Sequence, residues 1–62
     1  MIEAGKKYDL PEGHAYLQPA MTVTVTRVKP SEWVAYENDT CTGCSRYDYF
    51  ERAAVPHSLA AT

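Results

Sequence analysis

Between Met21 and Val28 apolar and hydroxyl residues alternate: Met21-Thr22-Val23-Thr24-Val25-Thr26-Arg27-Val28. A period of two is the mark of a strand with one buried and one solvated face. Lys29-Pro30-Ser31-Glu32 follows as a turn cluster with Pro30 at its second position, and Trp33-Val34-Ala35-Tyr36 is a second β-rich run. The segment predicts an antiparallel hairpin. If Val28 opposes Trp33, then Val25 faces Tyr36, Arg27 faces Val34 and Val23 faces Asn38. Val23, Val25, Val34 and Tyr36 then form a core face, while Thr22, Thr24, Thr26, Ala35 and Glu37 form a solvated one. Val28 and Trp33 fall together on the solvated side unless a bulge turns both inward. A one-residue slip would exchange the faces.

The rest of the chain fits a small β protein. Sixty-two residues make one domain at most, and a chain of that size buries only roughly 60% of its unfolded surface. Its large apolar residues are mostly valines and aromatics, and Leu10, Leu17 and Leu59 are too scattered to build helix seams. Ile2 to Tyr8 predicts a first short strand, Pro11-Glu12-Gly13 a turn, and His14 to Leu17 a short extended piece ended by Pro19. Asn38 to Gly43 is a polar loop. Ser45-x-x-Asp48 is a capping box weakened by Asp in place of Glu, and it opens a helix over Arg46 to Ala53. Tyr47-x-Tyr49 fits a last strand as well; Pro56 stops either. The expected fold is mainly β: a small, SH3-like bent sheet or barrel with one short helical turn near the C-terminus. Residues 1–56 form the domain and 57–62 a flexible tail.

In pattern the chain resembles the SH3-like barrel family and, more narrowly, short phage and prophage proteins of unknown function. The pieces that carry the resemblance are Gly5-Lys6-Lys7-Tyr8, the Met21–Val28 strand, the Trp33–Tyr36 strand and Tyr49-Phe50-Glu51-Arg52, spanning about residues 5 to 55. The resemblance implies an accessory protein acting on host machinery in the host cytoplasm. It transfers no functional residue.

Charge narrows the classes further. The formal net charge is −2, and Lys6, Lys7, Arg27, Lys29, Arg46 and Arg52 form no basic run. Nucleic-acid binding, which needs a basic face, is disfavoured. Single-stranded binding on stacked aromatics would require those six cations to converge in space. No stretch reaches the roughly 18 apolar residues of a membrane span. The N-terminus does not read as a signal peptide, so the expected location is cytoplasmic. Asn38-Asp39-Thr40 matches a glycosylation sequon by chance in that setting.

Cys41-Thr42-Gly43-Cys44 is the one chemical motif. A Cys-x-x-Cys turn lets two thiolates reach one tetrahedral metal. His57, separated from Cys44 by twelve residues in the spacing of a Cys2His2 finger, and His14 from the other side of the chain would complete a zinc site. Zinc is the single cofactor the sequence suggests, and it would staple a small core. A thioredoxin-like redox role lacks its βαβ setting. The bland alternative is two reduced thiols in a loop.

Neither His14 nor His57 has a nearby Ser or Asp arranged as nucleophile and base, carboxylates are dispersed, and Gly5, Gly13 and Gly43 are isolated. The chain therefore reads as non-enzymatic. Seven aromatics are too many for the core to hide, and Tyr and Trp are favoured at interfaces. Tyr36 and Phe50 are assigned to the core. Trp33 with Val28, Tyr47, Tyr49 and Arg46 are the expected contacts for a host protein partner. Free sheet edges also allow a homodimer. The leading expectation is a small interaction module; the alternative is a zinc-stapled mini-domain that binds nucleic acid or protein.

Overall fold

The computed structural model describes residues 2–57. Five strands and one helix follow in the order β1 (Lys7–Leu10), β2 (Met21–Lys29), β3 (Trp33–Glu37), β4 (Thr42–Arg46), α1 (Tyr47–Ala53) and β5 (Val55–Pro56). They form one antiparallel sheet in the order β4-β3-β2-β1-β5. The last strand thus returns beside the first, and the fold is mainly β with one short helix near the C-terminus, as the sequence predicts. No helix among the described residues is long and apolar enough to cross a membrane.

The central hairpin forms with one change of register. Val25 faces Tyr36 and Thr24 faces Glu37, but a bulge between Val25 and Arg27 moves the pairing by one. Beyond it Arg27 faces Ala35, Val28 faces Val34 and Lys29 faces Trp33. The extra residue is Thr26, whose hydroxyl donates to the Ala35 carbonyl at 3.3 Å. The bulge turns Val28 inward against the core and leaves Trp33 outside, so the expected Val28–Trp33 pair does not form. The tip is a four-residue turn in which the Glu32 N–H donates to the Lys29 carbonyl at 2.9 Å. Pro30 occupies its second position and Ser31, at φ 68°, its third, the pattern of a type II turn.

The bent sheet encloses Tyr8, Leu10, Val23, Val25, Val34 and Tyr36, and Phe50 from α1 fills the hollow with none of its surface exposed. Phe50 meets Tyr8 edge-on at 5.7 Å and Tyr36 at 5.6 Å between ring centres. Edge contacts of this kind add to the burial of apolar area. Ile2 is also buried, but the first strand begins only at Lys7, because a turn through Gly5 at φ 87° interrupts the Ile2–Tyr8 run. The Ile2 N–H donates to the Tyr47 hydroxyl at 3.3 Å, and the Glu3 N–H to the Tyr8 hydroxyl at 3.0 Å.

Three other expectations change. Residues 14–17 are turns rather than an extended piece: the Gln18 N–H donates to the Ala15 carbonyl at 3.1 Å, and Leu17 sits at φ 59°. The Ser45 capping box does not form. Arg46 caps α1 without a side-chain bond, and the Asp48 carboxylate instead accepts from the Tyr49 N–H. Ser45 is held elsewhere. Pro56 does not end the last element but lies in β5, an edge strand, where a missing N–H is tolerated. Of the expected tail, His57 is ordered against β1, and residues 58–62 lie outside the described residues.

Candidate functional site

Strand pairing sorts the side chains onto two faces. Tyr8, Val23, Val25, Val34 and Tyr36 point inward, so the residues alternating with them point outward. On the outer face Trp33 is flanked directly across the strands by Lys29 of β2 and Arg46 of β4. The next row is Arg27, Ala35 and Cys44; the third is Lys7, Thr24, Glu37 and Thr42. Cations that look scattered in sequence therefore gather. Lys7, Arg27, Lys29 and Arg46 are four of the six Lys and Arg residues, and three of them surround Trp33.

Glu37 offsets the third row, and the acids nearest Trp33 do little to neutralise the rest of this patch. Lys29 lies 3.6 Å from Glu32 and Arg46 lies 3.7 Å from Asp48, with every partner more than half exposed. Exposed pairs of that geometry are worth about 0–1 kcal/mol and are readily exchanged for another anion. Trp33 retains 38% of its surface, a flat apolar platform inside a ring of cations.

The other expected contacts divide. Tyr47 packs partly against the core, with its hydroxyl taken by Ile2. Tyr49 is 43% exposed, but its ring stacks on His14 at 4.6 Å and 8°, and its hydroxyl donates to the His14 carbonyl at 2.9 Å. Neither belongs to the Trp33 patch by strand pairing. Tyr16 and Leu17, which nothing in the sequence singled out, are 92% and 82% exposed at the tip of the loop between β1 and β2.

Both histidines have partners that sequence distance hides. His14, a zinc-ligand candidate in the sequence, is 5% exposed and places Nε2 2.7 Å from the Ser45 hydroxyl, thirty-one residues away. Its ring also meets Tyr36 and Phe50 edge-on. Burial holds its pKa below the ordinary value, so the ring is neutral at pH 7. Nδ1 is buried with no partner among the described residues. A buried N–H is rarely left orphaned, whereas a buried lone pair is tolerated more often. The proton therefore belongs on Nε2, donated to Ser45, and Ser45 is an acceptor rather than an activated nucleophile. The pair latches the 11–20 loop onto β4.

His57 places Nδ1 2.9 Å from the Asp9 carboxylate, which also accepts from the Thr22 hydroxyl at 2.6 Å. The Thr22 bond is the main cause that holds the Asp9 carboxyl below its usual range; desolvation opposes it, and the hydrogen bond and charge of His57 add to the lowering. Serine and carboxylate thus sit on different histidines, and no Ser-His-Asp chain forms between them.

The proposed zinc ligands do not converge. Asn38 closes the β3–β4 turn by accepting from the Thr40 and Cys41 N–H groups, both at 2.9 Å. Cys41 therefore stands immediately before β4, its carbonyl accepting from the Asn38 N–H at 2.9 Å, and Cys44 lies within the strand, three residues on. At the strand rise that separates their Cα atoms by roughly 10 Å, and an odd spacing points them to opposite faces. Cys41 Sγ lies 3.8 Å from Met21 Sδ, while Cys44 is on the outer face, His14 is inside and His57 is held by Asp9 beside β1. Among the described residues no three His, Cys, Asp or Glu side chains are grouped to hold a metal ion.

No protein-family model, curated protein or solved structure matches this chain.

Proposed function

We propose that the chain is a non-enzymatic interaction module, of the accessory kind its phage resemblance implies, that binds an acidic protein partner through the outer face of β2, β3 and β4. The observation that carries this reading is the row Lys29–Trp33–Arg46, extended by Arg27. An exposed Trp between cations combines the residue types that dominate interface energetics with a field that selects the sign of the partner. A single aromatic at the centre fits a protein surface better than a nucleic-acid strand, which is bound on a series of stacked rings.

Trp33 is the only tryptophan, so its emission reports on the patch directly. Titration with a glutamate-rich peptide should shift that emission, and the response should weaken as salt rises from low ionic strength to about 0.15 M. A lysine-rich peptide of the same length should give none. Arg46→Glu should cut the affinity for the acidic peptide. An equal response to both peptides, or one indifferent to salt, would sink this reading.

A further inference from the structure

The two ends of the sheet differ. β5 is two residues long and contains Pro56, which has no N–H to offer a new strand. β4 is five residues long, contains no proline and pairs on one side only, with β3. The hydrogen-bonding parity of β4 follows from its two ends. The Asn38 N–H donates to the Cys41 carbonyl at 2.9 Å, and the Tyr47 N–H donates to the Glu32 carbonyl at 3.1 Å. Antiparallel pairs alternate between bonded and non-bonded. The Tyr36–Gly43 and Val34–Ser45 pairs are therefore the bonded ones. Thr42, Cys44 and Arg46 turn their N–H and C=O groups away from β3, toward the open edge. The same three residues carry their side chains on the outer face, in the rows of Glu37, Ala35 and Trp33.

We infer that β4 is a strand-accepting edge and that its occupant is an extended acidic segment of a protein partner, added beside Thr42, Cys44 and Arg46. The inference rests on the proposed binding face and specifies how the partner engages it. Strand addition draws affinity from main-chain bonds and specificity from alternate side chains. Here the partner residues that bond to Thr42, Cys44 and Arg46 also present their side chains on the outer face. A carboxylate beside Arg46 meets its guanidinium, and one beside Cys44 lies in the field of Arg27 and Lys29, while the position beside Thr42 shares its row with Glu37. Intervening residues lie beside Gly43 and Ser45, whose inward sides are already covered by Tyr36 and His14, so the outward-facing residues of the segment carry its selectivity. A second copy of this chain is the poorer occupant, because it would set one cationic face beside another.

The test uses the whole chain, with the peptide Thr-Glu-Val-Glu-Val-Glu-Thr and the same peptide N-methylated at its glutamates. In the free protein, NMR amide exchange should be fast at Thr42, Cys44 and Arg46 and slow at Gly43, Ser45 and Tyr47. The unmodified peptide should shift Trp33 emission and slow exchange at the first three amides. Methylation should weaken binding by about tenfold or more, the effect of losing two or three main-chain bonds. A salt-sensitive Trp33 response with the three edge amides still in fast exchange, and equal affinity for both peptides, would overturn strand addition and leave the binding face standing. No Trp33 response to the unmodified peptide would overturn both. Edge amides already protected in a free chain that sediments as a dimer would give the edge to a second copy instead.

Discussion

Gly43 lies directly across β3–β4 from Tyr36, and a Cβ at position 43 would stand 3.0 Å from Cε1, Cζ and the hydroxyl of that ring. Tyr36 is 4% exposed and is packed against Phe50 and His14, so it has little room to retreat. The glycine is required by packing, not by an unusual backbone angle. Gly43→Ala should destabilise the fold by about 1–3 kcal/mol, the scale of overpacking a filled core. Urea unfolding of the variant measures it, and an unchanged midpoint would show that the ring moves freely.

Val28 and Trp33 should separate cleanly when mutated. Val28→Ala removes partly buried core volume opposite Val34 and should cost about 1–2 kcal/mol while leaving acidic-peptide binding intact. Trp33→Ala should abolish peptide binding and keep the fold, with a stability change of about 1 kcal/mol or less. Binding followed by isothermal titration calorimetry and melting followed by circular dichroism give the two readings. Unfolding of the Trp33 variant would make that residue a part of the core.

His14 makes stability depend on pH in a defined direction. Its folded pKa is lowered from the ordinary 6.5 by burial, so the unfolded chain binds the proton more readily. Stability is then full above about pH 6.5 and falls as pH drops from there to the lowered folded value, with no further loss from this group below it. Melting temperature should decline across that window in the native chain. His14→Gln should lose this part of the decline and keep the later one at carboxylate pH. There the lowered pKa of Asp9 makes its contribution, present above the unfolded carboxylate range, disappear as pH falls through the folded value.

The two thiols should behave as separate groups. Both should titrate with a thiol reagent in the native protein, since both are free and exposed. Mild oxidation should not join Cys41 to Cys44, because disulfide Cα atoms lie within about 7 Å of each other. A chelator should leave the melting temperature unchanged. A drop on chelation would restore the zinc staple.

The legible parts of the fold are those whose causes are local. Alternation in Met21–Val28 and the Pro30 turn determine the hairpin, but the expected Val25–Tyr36 pairing is reached only because the bulge offsets the one-residue error of placing Val28 opposite Trp33 at the tip. Tyr36 and Phe50 are core residues as their sequence positions indicate. The sequence admits a bulge near Val28 but does not place it at Thr26, since its benefit is the inward turn of Val28 onto a core that only the folded sheet assembles. His14 was hidden for the same reason. A histidine beside a Pro/Gly turn looks solvated, and only the folded chain brings up Tyr49 and Ser45 to enclose it. The cationic face is illegible in the sequence because it is assembled across strands: Arg27 and Lys29 from β2, Trp33 from β3 and Arg46 from β4. Two of its cations, Arg27 and Lys29, are neighbours on β2 only by virtue of strand periodicity.

Pro56 at the closing strand has a consequence for assembly. A molecule with two open edges can receive one neighbour and offer itself to the next, and such head-to-tail contacts extend into fibres unless they close into rings. On the proposed reading, with β4 the accepting edge and β5 a two-residue strand carrying a proline, strand addition would take place at one end of the sheet and would not be relayed through the other.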